Sequence, residues 1–133
     1  MERLTGQALI DLHTTMREQG YGMTKIALDA GYSYYNQTHG LWKIAYTSFY
    51  EELLYAKGLV NRIIVQVKHP NSYVVNTYTT TVGKSYSERY KVMRAKELAG
   101  YGKKKCDRNG LSTTGRIILN CRADKATIVI EIN

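Results

Sequence analysis

Hydrophobic side chains in the first 58 residues recur at helical spacing, interrupted by segments where that spacing is lost. Leu9, Leu12 and Met16 follow one another at intervals of three and four residues, which places them on one face of a helix. This pattern predicts an amphipathic helix over residues 5–18.

Two further helices and a hairpin are predicted in the rest of this half. A short helix is expected from an N-cap at Thr24 to a left-handed glycine at Gly31. The segment 32–46 has no helical period, and its alternating side chains predict a short hairpin. A third helix is expected to begin at Ser48, which forms an S-x-x-E capping-box pair with Glu51.

The pattern changes to strand-like alternation from residue 60 onward. Ile63, Val65 and Val67 alternate with polar or outward residues, as in a strand with one buried face. Strands are predicted over 62–68, 73–82, 115–122 and 125–132, a helix with a Tyr86, Tyr90 and Met93 stripe over 85–100, and a basic loop over 101–110. The chain is therefore predicted to be an α+β protein, with a helical N-terminal module and short hairpin (1–59) and a basic ββαββ second half (60–133).

Charge differs sharply between these two halves. The chain carries a net charge of +8 and has a pI near 9.5. Residues 1–59 contain five Lys/Arg and six Asp/Glu, a net charge of −1, whereas residues 60–133 contain 14 Lys/Arg and five Asp/Glu, a net charge of +9. A one-sided basic field favours a polyanionic partner, nucleic acid first and an anionic membrane surface second.

Several other classes of protein lack support in the sequence. No run of about 18 apolar residues predicts a membrane span, and the N-terminus shows no export signal, so we expect a cytoplasmic, nucleoid-associated protein. Cys106 and Cys121 can form one disulfide, but two reduced thiols fit a cytoplasm better. No phosphate-binding glycine loop and no zinc-ligand spacing is found, so no cofactor and no metal are expected.

The first half resembles the N-terminal region of the AbrB-like transcription regulators of cyanobacteria. The matching pieces are "LTGQALIDLH" (4–13), "KIALDAGYSY" (25–34) and "GLWKIAYTSFYEELLYAKG" (40–58), in the same order and spacing. The resemblance implies a gene-regulatory, DNA-associated setting for residues 1–58.

The predicted hairpin carries a nearly uncharged group of flat and hydrogen-bonding side chains. Asn and Gln can pair bidentately with adenine edges, and tyrosines can stack on bases or donate to phosphates. We expect this tip to contact DNA bases and two flanking lysines, Lys25 and Lys43, to contact the DNA phosphate backbone. The full set of expected contact residues is Lys25, Tyr34, Tyr35, Asn36, Gln37 and Lys43.

The basic half supplies the candidate phosphate contacts. They lie on the predicted helix, in the basic loop and at the start of a strand: Arg89, Lys91, Arg94, Lys96, Lys103, Lys104, Lys105, Arg108 and Arg116. Lysine and arginine at this density are typical of a surface that neutralises nucleic-acid phosphates.

These observations predict a sequence-influenced DNA-binding transcription regulator. We expect a homodimer, since small DNA readers gain affinity from two half-sites, with strand edges such as "KATIVIEI" (125–132) available for pairing. Two alternatives stay open. One is a metal-dependent nuclease using carboxylates of the basic half (Glu88, Glu97, Asp107, Asp124 and Glu131). The other is a small adaptor or inhibitor that binds an acidic protein.

Overall fold

The structure, a computed structural model, describes residues 2–111 and 115–133. The chain divides into two compact units, Met1–Leu59 and Val60–Asn133, here termed the helical unit and the sheet unit. The fold class is mixed α+β, as the sequence predicts: a helical N-terminal part is followed by a sheet.

The helical unit packs three helices and a two-stranded hairpin around one core. Its elements are α1 (Gly6–Glu18), α2 (Met23–Asp29), β1 (Ser33–Asn36), β2 (Leu41–Ile44) and α3 (Tyr46–Ala56). The buried side chains are Leu9, Met16, Ile26, Ala27, Ala30, Tyr32, Phe49 and Leu53. Leu9 and Met16 are two members of the predicted α1 stripe, so the helical spacing of the sequence correctly identified the packed face.

Gly31 ends α2 for a physical reason that the structure makes explicit. Its φ of +88° lies in the left-handed region, and a Cβ at this position would stand 2.8 Å from the carbonyl oxygen of Glu2. The N-terminal segment passes directly over this glycine: the Leu4 amide donates to Ala30, and the Tyr32 hydroxyl donates to the Leu4 carbonyl. The N-terminal segment of the chain therefore packs against the C-terminal end of α2.

The predicted side-chain caps of α2 and α3 are wrong. The N-cap of α2 is Gly22 and that of α3 is Ala45, and neither makes a side-chain capping bond. The Thr24 hydroxyl instead lies 2.8 Å from the Tyr46 hydroxyl, a contact between the first turns of the two helices. Ser48 lies inside α3, which begins two residues earlier. A tertiary contact therefore engages the Thr24 hydroxyl, whereas Ser48 lies too far inside α3 to act as its N-cap.

The sheet unit is a five-stranded antiparallel sheet with one helix. Its elements are β3 (Val60–Lys68), β4 (Val75–Gly83), α4 (Glu88–Leu98), β5 (Cys106–Leu111), β6 (Ile117–Cys121) and β7 (Thr127–Ile132), and the strand order is β4-β3-β7-β6-β5. The sheet core comes from one face of the strands, where Val65 pairs with Ile130 and Ile130 with Ile117. The helix α4 adds Ala95 to this core and contacts β3 and β4.

The sequence-based order ββαββ needs correction, because three strands follow α4 and the order is ββαβββ. The predicted basic loop contains β5, whose residues CDRNGL are rich in types that are rare in strands. Pairing with β6 holds this segment extended. The expected pairing edge at 125–132 is also wrong: β7 lies between β3 and β6, so its backbone is already paired on both sides.

Across the described residues, no helix is both long and apolar enough to cross a membrane.

Candidate nucleic-acid interface

The carboxylates of the sheet unit are engaged by neighbouring side chains. Four of the five pair with arginines, at nitrogen–oxygen distances of 2.6 to 3.5 Å: Glu88–Arg108, Glu97–Arg94, Asp107–Arg122 and Glu131–Arg116. The fifth, Asp124, accepts from the Tyr101 hydroxyl at 2.6 Å and lies 3.7 Å from His69. Four of the acids therefore neutralise arginines, and among the described residues no lysine of the sheet unit forms an ion pair with a carboxylate.

Three predicted phosphate contacts, Arg94, Arg108 and Arg116, take part in these pairs. All three arginine side chains are more than a third exposed. An ion pair at such a surface is worth about 0–1 kcal/mol, so a phosphate can compete for the guanidinium. These arginines are accessible to an anion at a small energetic cost.

A second set of cations lies beside the C-terminal end of α4. The Lys96 ammonium donates to the Lys104 carbonyl at 3.0 Å, which joins the last turn of the helix to the lysine run that follows it. We call Lys96, Lys103, Lys104 and Lys105 the basic cluster. Within the described part of the chain, none of the four forms an ion pair with a carboxylate. Lys103, Lys104 and Lys105 are exposed.

Tyr101 anchors the basic cluster to the sheet unit. Its ring is buried, the Lys104 amide donates to its carbonyl, and the Lys104 ammonium lies 5.5 Å from the ring centroid. The Tyr101 hydroxyl donates to Asp124, which also accepts from the Ala126 amide. These two hydrogen bonds hold the pKa of Asp124 well below its usual value. Burial, followed by the bond to Asp124, raises the pKa of Tyr101. The lysine run therefore begins two residues after a buried and hydrogen-bonded tyrosine.

The helix α4 does not present its cations as the sequence predicts. The expected apolar stripe is wrong in part: Tyr86 and Met93 are 53% and 42% exposed, whereas Lys91 and Ala95 are buried. The Lys91 stem covers the core and its ammonium donates to the Lys84 carbonyl at 3.1 Å. The Lys91 ammonium is therefore not exposed for contact with a phosphate.

Arg89 remains exposed near the N-terminal end of α4. In the described residues it forms no ion pair. Together with the basic cluster it brings the number of unpaired candidate cations in the sheet unit to five.

The hairpin of the helical unit exposes a group of aromatic side chains. Tyr34 and Tyr35, both predicted from sequence, are 42% and 50% exposed. Trp42 is the cross-strand partner of Tyr35; the two rings meet edge to face with centroids 5.6 Å apart, and Trp42 is 69% exposed. The sequence analysis omitted Trp42, although its alternation with Leu41 and Lys43 carried the signal that it shares a face with Tyr35.

The two predicted amides of the tip have different roles. The Asn36 side-chain oxygen accepts from the His39 amide at 3.0 Å, so Asn36 stabilises the turn. This bond uses one of the two lone pairs of the oxygen and fixes the orientation of the side chain against the turn. Gln37 is exposed on the same turn and, among the described residues, has no side-chain partner. Gln37 is thus the amide available for base recognition.

The two lysines expected to contact the DNA phosphate backbone beside this tip are each restricted by their surroundings. Lys25 pairs with Asp29 one helical turn later, at 3.0 Å. Lys43 is half-buried on β2, directly opposite Tyr34. Only Lys43 is adjacent to the aromatic group by register.

Another exposed aromatic residue was missed by the sequence analysis. Tyr73 lies in the β3–β4 connection and is fully exposed, and the adjacent Val74 is 65% exposed. The segment "HPNS" (69–72) predicted a turn here but gave no indication of which side chain it would display.

The described residues hold no group of three or more His, Cys, Asp or Glu side chains arranged to bind a metal ion. The five acids of the sheet unit, which the nuclease alternative requires to converge, are distributed over separate partners.

No known protein-family model, curated protein or solved structure matches this chain.

Proposed function

We propose that this protein is a DNA-binding transcription regulator whose sheet unit contacts phosphates and whose helical unit contributes to sequence preference. The observation that carries the proposal is the charge of the sheet unit. It has a net charge of +9, its acids are engaged, and five candidate cations form no ion pair within the part of the chain that the structure describes. A field of this kind raises the local concentration of a polyanion and speeds association.

The expected strength of this attraction follows from the number of cations. If the five candidate cations that form no ion pair among the described residues each contact one phosphate, there are five contacts, and the three exposed arginines raise the total to eight. Because each contact contributes about 0.9 to the slope of log affinity against log salt, raising salt from about 50 to about 200 mM weakens binding by roughly 10³- to 10⁴-fold.

The helical unit has a different chemistry, and we assign it a different role. Its net charge of −1 gives it little attraction for phosphates. Its hairpin displays Tyr35, Gln37 and Trp42, which suit stacking and hydrogen bonding rather than charge neutralisation. The resemblance of residues 1–58 to AbrB-like regulators supports the same assignment.

We further propose that the protein acts as a homodimer on two half-sites, because one unit of this size covers few base pairs. The edge strands of the five-stranded sheet are β4 and β5, so pairing of this sheet with its copy in a second protomer would involve one of these two.

Gel shifts of the full chain over a range of salt concentrations test the proposal. Duplex DNA, single-stranded DNA and RNA of matched sequence serve as probes, each with and without Mg²⁺. The proposal predicts a duplex complex whose affinity falls steeply with salt and a probe that stays intact. Absence of any shift at physiological salt favours the adaptor alternative, and Mg²⁺-dependent cleavage of the probe favours the nuclease.

Sequence preference needs a separate comparison. Gln37→Ala is expected to narrow the difference in affinity between preferred and scrambled duplexes while leaving the salt slope unchanged. Thr38→Ala, a neighbouring exposed position on the same turn, is the matched control. If the two variants discriminate equally between preferred and scrambled duplexes, Gln37 does not contribute to sequence recognition.

A further inference from the structure

The two cysteines of the sheet unit face each other across neighbouring strands. Cys106 is the first residue of β5 and Cys121 the last residue of β6, and the antiparallel register pairs them directly. Both are free thiols. Residues paired in this way project their side chains from the same face of a sheet.

The hydrogen bonds around the pair show which type of cross-strand position it occupies. The Arg122 amide donates to the Lys105 carbonyl at 3.0 Å, a bond between the residues that flank the cysteines. The Cys121 amide donates to Ala126 and its carbonyl accepts from Lys125, so both of its backbone groups point away from β5. This pattern defines a non-hydrogen-bonded pair, in which the two Cα atoms are about 4.5 Å apart. A disulfide spans Cα separations of about 4.4–6.8 Å.

The surroundings of the thiols differ between the two strands. Cys121 is buried in the sheet core, whereas Cys106 is half-buried and its thiol lies 3.8 Å from the Lys104 carbonyl. Burial is the largest cause that raises the pKa of the Cys106 thiol, and the Lys96 ammonium acts in the opposite direction. Cys106 is thus the thiol that a small reagent reaches first.

We propose that Cys106 and Cys121 are a redox modification site, converted reversibly into a cross-strand disulfide by a small disulfide oxidant such as oxidised glutathione. This follows from the register of β5 and β6, whether or not the sheet unit binds nucleic acid.

The reaction balances as two thiol–disulfide exchanges. The Cys106 thiolate attacks one sulfur of oxidised glutathione, and the other glutathione leaves as a thiolate that takes up a proton. The Cys121 thiolate then attacks the Cys106 sulfur of this mixed disulfide and expels the second glutathione. Two protein thiols are oxidised to one disulfide, and one glutathione disulfide is reduced to two thiols.

The disulfide would close the open end of the β5–β6 hairpin. It lies immediately after the basic cluster, so it would also fix the point at which the lysine run enters the sheet. Closing a loop of about 15 residues restricts the unfolded chain. For a unit of this size we expect the thermal midpoint to rise by on the order of 10 °C.

The test exposes the native full-length chain to oxidised glutathione at neutral pH and follows its free thiols, its mass and its thermal midpoint. We expect both thiols to be lost, the mass to fall by two hydrogen atoms, and a non-reducing digest to link the peptides that contain Cys106 and Cys121 within one chain. Dithiothreitol should restore the thiols and the original midpoint.

Two single variants separate the steps. Cys121→Ser should stop at a stable glutathione adduct on Cys106, and Cys106→Ser should react slowly because Cys121 is buried. The proposal is overturned if the wild-type chain retains glutathione on Cys106. It is equally overturned if the native chain keeps both thiols, or links two chains, under conditions in which the urea-unfolded chain forms the internal disulfide.

Discussion

Removal of the three consecutive lysines of the basic cluster provides a quantitative test of the phosphate-binding surface. Lys103, Lys104 and Lys105 are exposed, their run starts from the buried Tyr101, and within the described residues they form no ion pair. Their replacement by alanine therefore removes charge without leaving a buried carboxylate unpaired. The fold of the sheet unit should be retained, since all three side chains lie outside its core.

The size of the effect follows from counterion release. If each lysine contacts one phosphate, the triple alanine variant lowers the salt slope by about 2.7, because each contact contributes about 0.9. Between about 50 and about 200 mM salt, the affinity of the variant should then fall about 40-fold less than that of the wild type. The loss at low salt should be equal for preferred and scrambled duplexes, because phosphate contacts carry no sequence information.

Fluorescence anisotropy with a labelled duplex, titrated at five or more salt concentrations, measures both slopes. A matched control replaces Lys57, Lys68 and Lys84 by alanine, which lowers the net charge equally at other exposed positions. An unchanged slope for the basic-cluster variant would show that these lysines touch no phosphate. An equal decrease in both variants would show that only net charge matters and that no local surface exists.

Three further predictions concern the stability of the two units. Lys91→Ala should lower the free energy of unfolding of the sheet unit by about 1–3 kcal/mol in urea titrations, because it removes a buried aliphatic stem and leaves the Lys84 carbonyl without its donor. Lys91→Met keeps an apolar stem and should lower the free energy of unfolding by less. An alanine variant as stable as the wild type would contradict this account. Hydrogen bonds depress the pKa of Asp124, so the stability that this carboxylate contributes should be fully present above about pH 4, the pKa of an unfolded aspartate, and should be lost as the pH falls toward its folded pKa. Tyr101→Phe should flatten this loss of stability in denaturation curves recorded from pH 6 to pH 2. An unaltered loss in this variant would assign the acid sensitivity to other groups. Phe49→Ala should lower the free energy of unfolding of the helical unit by about 3–5 kcal/mol, because this fully buried ring packs edge to face on the Tyr32 ring with centroids 5.5 Å apart. Circular dichroism should then show the helical unit unfolded at room temperature. A cooperative native transition in this variant would contradict the proposed core.

Local pattern was sufficient for most elements of the fold. Side-chain period predicted α1, the β3–β4 hairpin and the last two strands within a few residues, because each buries one face and its spacing records that face. The β1–β2 hairpin and α4 were also predicted within a few residues, although the burial of their side chains does not follow the expected alternation or stripe. The strand β5 was missed because its residues have low strand propensity and are held by β6. The predicted cap of α2 was wrong because α2 begins at Met23 and the Thr24 hydroxyl contacts Tyr46 instead, and that of α3 was wrong because the helix begins before Ser48.

The candidate site divides in the same way. The sequence by itself determined how much charge each half carries, and it identified the uncharged tip, since both depend only on which residues are present. Only the tertiary structure decided which of those side chains are available. It buried Lys91, paired Arg94 with Glu97, assigned the Asn36 oxygen to a turn and left Trp42 exposed. The physical reason is that hydrogen bonds and ion pairs depend on distance in three dimensions. Arg94 and Asn36 meet partners three residues away, whereas Arg108 pairs with Glu88 from 20 residues away, which no local pattern records.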